Sequence, residues 1–291
     1  MTTPEPIDWL LAFDPARRGT AKFYRPGGAR AAARSLARGK RVVLTTGFAV
    51  APGLAETDGP PGAAVLGRAL RLLGKSVAYV TDEAAAPLME ATLKALGEPV
   101  ELVALPHAEA ADSARRRVGD IRPSHLVAIE RPGRAGDGHY WNSRGESIGA
   151  WNAPLDALFV KRPRGVTTIG VGDGGNEIGM GNVRPRLLRQ GPLARKIASV
   201  VRVDHLVIAG VSNWGAYGVV AQLSMLAKQP LLHTPEEERK LVTACIEAGG
   251  MDGVTRRRVP TVDGLPLETH VAIVELLRML VERQIEGGSF S

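Results

Sequence analysis

Thr168-Ile169-Gly170-Val171-Gly172-Asp173-Gly174-Gly175-Asn176-Glu177-Ile178-Gly179-Met180-Gly181-Asn182 decides the reading of this 291-residue chain. The run from Val166 to Val171 is β-branched and apolar, and it predicts a buried strand. Glycines then turn the chain. If a helix starts at Gly174, Asp173, Asn176 and Glu177 fall at i, i+3 and i+4 on one face of its first turn. Three oxygen-bearing side chains beside bare glycine backbone suit a hard cation such as Mg²⁺ or Mn²⁺. A plainer reading makes Asp173 an N-cap and Glu177 a first-turn acid that favours the helix dipole. The density of glycine, which costs helix and strand propensity, favours close approach of something to the backbone.

Gly170, Gly172 and Gly175 also match G-x-G-x-x-G. A dinucleotide site needs an acid roughly 20 residues further on for the ribose. Gly191-Pro192-Leu193-Ala194-Arg195-Lys196 offers none.

Working outward, apolar runs predict strands at Arg41–Thr46, Ser76–Val80, Val100–Leu105, His125–Ile129 and Leu206–Ala209. Helical spacing predicts helices at Gly28–Arg38, after Pro61, at Ala84–Leu96, Ala108–Gly119, Pro154–Phe159, Leu187–Val200, Ala216–Lys228, Pro235–Ala248 and Leu267–Ile285. Strands alternating with helices imply an α/β fold: a mostly parallel, Rossmann-like three-layer sheet with helices on both faces. Residues 1–291 read as a single α/β domain. The Gly-rich stretch 132–149 is the longest break in periodicity and reads as an active-site loop.

Composition excludes several classes. The chain is 44% hydrophobic and 23% charged, ordinary for a globular protein. Net charge is +7, but aromatics are only 4%, too few for base stacking, so no nucleic-acid partner is expected. The positive balance instead suits steering of a small anionic substrate. One cysteine, Cys245, excludes a disulfide framework and reads as a packing residue. No run reaches the roughly 18 apolar residues of a membrane span, and the N-terminus lacks a signal pattern, so a cytoplasmic protein without a membrane partner is expected. A homo-oligomer is compatible with all of this.

In an open α/β sheet, ligands bind beyond the carboxyl ends of the strands. Acids recur there: Glu56 and Asp58 after the first strand, Asp82 and Glu83 after the second, Glu130 after the fourth, and Asp173 and Glu177 after the central one. Asp58-Gly59-Pro60-Pro61 is also a plausible plain turn, which leaves Glu56 unexplained. Arg131 and Arg134 present bidentate forks for a carboxylate or phosphate, or else form surface ion pairs. Asp252-Gly253 is a turn that could equally hold a functional acid. Asn213 can donate or accept at a helix start, whereas Trp214 reads as core. No His/Glu zinc pair, nucleophile elbow or phosphate-binding Gly-Lys-Ser/Thr loop occurs.

Four segments together resemble the D-glutamate cyclase family, specifically its C-terminal domain: Glu56-Thr57-Asp58-Gly59-Pro60-Pro61-Gly62, Glu130-Arg131-Pro132-Gly133-Arg134, Gly172 to Gly181, and Ser212-Asn213-Trp214-Gly215-Ala216-Tyr217. The likeness runs from about Arg41 to Leu267 in the same order. It implies a lyase that converts D-glutamate to 5-oxo-D-proline with loss of water. On that expectation a divalent metal, Mg²⁺ or Mn²⁺, is held by Asp173, Glu177 and Glu130, with Asn176, Glu56 or Asp58, and polarises the γ-carboxylate. Arg131 or Arg134 holds the α-carboxylate, with Asn213 and the backbone of Gly174 and Gly175 as further substrate contacts. Asp137 or Asp58 takes the ammonium proton. The residues alone also admit a metal-dependent phosphatase or hydrolase acting on a small anionic metabolite, and a metabolite-binding protein without turnover.

Overall fold

Continuous apolar runs build the central sheet of the computed structural model, which describes residues 4–107 and 110–287. In chain order its strands are β1 (Arg41–Thr46), β2 (Ala49–Ala51), β3 (Leu54–Ala55), β4 (Ser76–Asp82), β5 (Leu102–Leu105), β6 (His125–Ile129), β7 (Thr167–Gly172), β8 (His205–Ile208), β9 (Thr261–Val262) and β10 (Leu265–Pro266). The helices are α1 (Pro6–Leu11), α2 (Gly28–Ala37), α3 (Pro60–Leu72), α4 (Ala86–Ala95), α5 (Ala110–Ile121), α6 (Ala157–Val160), α7 (Arg184–Leu187), α8 (Pro192–Ile197), α9 (Ser212–Ala227), α10 (Pro235–Glu247) and α11 (Leu267–Ile285).

Six strands pair in the order β5-β4-β1-β6-β7-β8, all in parallel. Numbered along the sheet alone, that order is 3-2-1-4-5-6, the order of doubly wound dinucleotide-binding folds. Its winding reverses between β1 and β6, so the crevice for a ligand opens at the carboxyl ends of those two strands. Two small antiparallel hairpins, β2–β3 and β9–β10, lie outside the sheet.

Successive residues of a strand face opposite sides, and the two cores follow that alternation. Val42 and Leu44 of β1, Val127 and Ile129 of β6, and Ile169 and Val171 of β7 join one core with α2, α3 and α9. Val43, Leu126 and Ala128 point the other way, into a second core with Ala114 and Val118 of α5 and Leu158 and Phe159 of α6. Both faces are therefore covered, as a parallel sheet requires. Helix α9 is buried at every position from Ser212 to Ser224, because it lies on the sheet beneath α2, α3 and α11. Trp214 is fully buried in that core, and Cys245 is buried in α10.

Three expectations fail for local reasons. No helix forms at Gly174: β7 ends at Gly172 and the chain bends until a single 3-10 turn at Met180–Asn182. The Glu177 carboxylate accepts the N–H groups of Gly174 and Gly175 at 2.6 and 2.8 Å, and Gly175 and Gly179 adopt φ of 98° and 105°. A side chain thus captures the donors that would have begun a helix. The single helix expected over Leu187–Val200 is broken by Gly191, at φ 122°, and Pro192. Helix α9 starts at Ser212, four residues before the expected Ala216, because an acid from elsewhere in the chain caps its first turn.

Candidate functional site

The loop after β1 and the helix after β8 are fastened to each other. Helix α3 begins with Pro60 and Pro61, which have no N–H, so its free donors reduce to Gly59 and Gly62. Asn213 Oδ1 accepts both, at 2.9 and 2.8 Å. In return Asp58 accepts the first two N–H groups of α9, from Ser212 at 2.9 Å and Asn213 at 2.8 Å. Each helix start is capped by a side chain from the start of the other. Gly59 sits where this junction meets the sheet, at φ 102°, and a Cβ there would lie 2.5 Å from Thr46 Oγ1 and 2.9 Å from Glu130 Cβ. Only glycine fits.

Around this junction, at the crevice between β1 and β6, buried acids converge. One oxygen each from Asp58, Glu130 and Asp173 lie within 4.8 Å of one another. Glu130 leaves β6 with a left-handed backbone, φ 42°, and its Oε2 accepts the Ser212 hydroxyl at 2.6 Å. Asp173 follows β7. Its two oxygens accept the guanidinium of Arg18 at 2.8 and 2.9 Å. Arg18 is also ion-paired to Asp263, the left-handed first residue of the Asp263-Gly264 turn between β9 and β10. Glu56 reaches the same place from β3. It is 7% exposed, and its carboxylate accepts no hydrogen bond among the described residues.

A narrow cavity reaches this cluster at Glu130, Glu56 and Asp263. Its walls include Glu56, Glu130, Asn176, Glu177 and Asp263, with Arg18, Arg144 and Arg256 as the cations. Burial pushes the Asp58 carboxyl up to about 8, with Asp263 adding to it and the bonds from Asn213 and Ser212 opposing. Burial likewise lifts Asp173 to about 7 against the pull of Arg18. Glu56 and Glu130 lie well above the usual carboxylate range, through burial first and their acidic neighbours second; Asp263 is raised too, by burial against the pull of Arg18, with Asp173 adding to it. For Arg18 burial works downward, but Asp173 and Asp263 outweigh it and raise it further.

The donor set tests whether a metal fits. Asp58, Glu130 and Asp173 supply only hard carboxylate oxygens, which suit Mg²⁺ or Mn²⁺ rather than zinc. Of the buried acids Glu56, Asp58, Glu130, Asp173 and Asp263, only Asp173 and Asp263 are ion-paired among the described residues, both to the same half-buried guanidinium of Arg18. Buried charges are stable only when paired or metal-bound, so the cluster lacks positive charge that a divalent ion would supply. The residues fit such an ion.

The other sequence candidates lie as follows. Asn176 is buried at the cavity wall and donates to the Trp141 carbonyl at 2.7 Å. Glu177 also lines the cavity, yet its oxygens hold the N–H groups of Gly174 and Gly175, which are therefore not free for a substrate. Arg131 is not at the cavity. Its side chain is 0% exposed and donates to Asp82 at 2.6 Å, to the Ala153 carbonyl at 2.6 Å and to the Gly47 carbonyl at 2.9 Å. Arg134 is spent on Asp156, which it grips through Nε and Nη2 at 2.6 and 3.0 Å. Asp137 is 46% exposed and accepts from His139 N–H and Trp141 Nε1, away from the cluster. Asp252 is a turn acid: it accepts from Val254, Thr255 and Gly264 N–H groups.

Sequence reasoning missed Arg18 and Asp263. Asp263-Gly264 between Val262 and Leu265 was a readable hairpin signal. Arg18 carried no local signal at all.

A family model described as D-glutamate cyclase-like, C-terminal, matches residues 7–278. The mitochondrial D-glutamate cyclase of Homo sapiens is 33% identical over 321 aligned positions, which cover 96% of this chain and 52% of that protein. The chain thus spans about half the length of that curated relative. Among solved structures, an exopolyphosphatase-related protein from Bacteroides fragilis superposes with a TM-score of 0.44 at 8% identity, covering 91% of this chain and 61% of the other. The exonuclease RecJ bound to manganese gives 0.39 at 14% identity, covering 90% and 53%. No helix among the described residues is long and apolar enough to cross a membrane.

Proposed function

Because the chain belongs to the D-glutamate cyclase-like C-terminal family, we propose that it is a divalent-metal-dependent lyase that converts D-glutamate to 5-oxo-D-proline and water. The observation that carries this reading is the meeting of Asp58, Glu130 and Asp173 within 4.8 Å at the point where the sheet reverses its winding. These three would hold Mg²⁺ or Mn²⁺. Such an ion supplies Lewis-acid polarisation of a carboxylate.

The chain's own groups then have separate tasks. D-Glutamate brings two carboxylates and one ammonium. Arg144 and Arg256 reach the cavity from the 132–149 loop and the turn after Gly253, and they are assigned the α-carboxylate in place of Arg131 and Arg134. That assignment treats 132–149 as an active-site loop. Glu56, with no hydrogen-bond partner in the cavity wall, is assigned the ammonium in place of Asp137. The amine nitrogen forms a bond to the carboxyl carbon of the γ-carboxylate (Cδ), and one oxygen of that carboxylate departs. Two protons leave the nitrogen in the course of the reaction, and both go out with that oxygen as water. Glu56 is the group that relays them. The narrowness of the cavity limits bulk water, which favours the dehydration.

The test is to incubate purified protein with D-glutamate and Mg²⁺ or Mn²⁺ and to follow 5-oxoproline by chromatography. Product is expected with the metal, none with chelator, and none from Asp173→Asn. Absence of product with every divalent ion tried removes the cyclase assignment.

A further inference from the structure

We propose that Arg18 is a resident counter-cation of the acid cluster, competing with the divalent ion for Asp173. This rests on the metal reading of the cluster and adds a control element to it. Both oxygens of Asp173 are engaged by one guanidinium, at 2.8 and 2.9 Å, and the same guanidinium pairs with Asp263. Asp173 is also one of the three acids that converge. A divalent ion at Asp173 needs oxygens that the guanidinium already holds and meets its positive charge, so the guanidinium must give way.

The backbone that carries Arg18 is fixed independently of its side chain. Asp14 accepts the N–H groups of Arg18, Gly19 and Thr20 at 2.9, 2.7 and 3.1 Å. Arg17 and Gly19, at φ 55° and 86°, close that turn. The side chain can therefore leave Asp173 without unfolding the segment. It has somewhere to go, because it lines the cavity and is 21% exposed. Glu56 stands in the same wall with its carboxylate unpartnered. When the ion takes Asp173, the guanidinium keeps its other partner, Asp263, and leaves Glu56 to the substrate ammonium. The exchange keeps the cluster neutralised whether or not the metal is present.

The test measures binding of Mn²⁺ alone to the full chain by calorimetry, for wild type, Arg18→Gln and Arg18→Lys. Charge-assisted bonds of this kind set the scale, so Arg18→Gln should bind Mn²⁺ about ten-fold tighter or more, with Arg18→Lys close to wild type. If wild type binds Mn²⁺ and Arg18→Gln binds no tighter, competition is refuted while the metal site stands. If neither binds, the metal reading itself fails and takes this inference with it. Should Arg18→Gln not fold, a crystal structure of wild type grown with Mn²⁺ decides. Mn²⁺ on Asp58, Glu130 and Asp173 with Arg18 off Asp173 is the expected result. Arg18 still holding both Asp173 oxygens beside a bound ion overturns it.

Discussion

Replacing Arg131 by Met separates a structural arginine from a substrate-binding one. The Arg131 side chain is 0% exposed and satisfies Asp82, itself 4% exposed in its side chain, together with two carbonyls. Methionine matches much of the length but leaves Asp82 with only the N–H groups of Ala85 and Ala153. Breaking one partner out of a buried ion pair costs about 3–5 kcal/mol. At about 2–3 °C per kcal/mol for a chain of this size, the melting temperature should fall by roughly 6–15 °C. Adding Asp82→Asn to the same protein should recover part of the loss, since the stranded charge is gone. Thermal denaturation and Mn²⁺ titration of the folded variant are the assays. Mn²⁺ affinity should not change, because Arg131 does not line the cavity. A melting temperature within about 1 °C of wild type, with a raised KM for D-glutamate, would refute this placement and restore Arg131 as a substrate contact.

Further outcomes follow from the same geometry. Asp58 and Asp173 rise from an ordinary 3.8 to about 8 and about 7 through burial. The folded protein therefore keeps protons that the unfolded chain releases above about pH 4. This cluster's contribution to stability is full below that pH and is lost as pH climbs through 7 to 8. In chelator, melting temperature should drop between pH 5 and 8, Mn²⁺ should restore it at pH 8, and the double variant Asp58→Asn with Asp173→Asn should flatten the drop. A slope unchanged in that variant would trace the drop to groups outside the cluster. Asn213→Ala strips the shared cap from Gly59 and Gly62 in a buried setting and should cost about 1–3 kcal/mol in urea unfolding. Gly253→Ala places a Cβ 1.7 Å from Glu56 Oε2, the free end of a flexible side chain. Turnover of D-glutamate should fall about ten-fold or more while stability changes by less than about 1 kcal/mol. Unchanged turnover removes Glu56 from the reaction.

Much of the framework was legible in the chain itself. Runs such as Val42-Val43-Leu44 and Val127-Ala128-Ile129 can be strands only if both faces are covered, and that fixes the layers. The acids after β1, β6 and β7 converge because parallel strands end at one rim. What could not be read is who pairs with whom. Arg131 and Arg134 look alike in sequence, yet each meets an acid, Asp82 or Asp156, that only the folded chain brings near. Arg18 lies 155 residues from Asp173 and has no periodicity to betray it. The helix expected at Gly174 failed because Glu177 turned its carboxylate back on its own loop, a competition that spacing rules do not register.

Asp58 and Asn213 also constrain how this fold can vary. Each belongs to one segment and serves the other, so neither segment is interchangeable alone. A chimera that takes residues 56–72 from a relative without an acid at 58 leaves the start of α9 without its acceptor, and one that takes 211–227 without an Asn at 213 strands the Gly59 and Gly62 donors. Recombination at this junction must move both pieces together, and descendants of such a chain should inherit the two as a single unit of change.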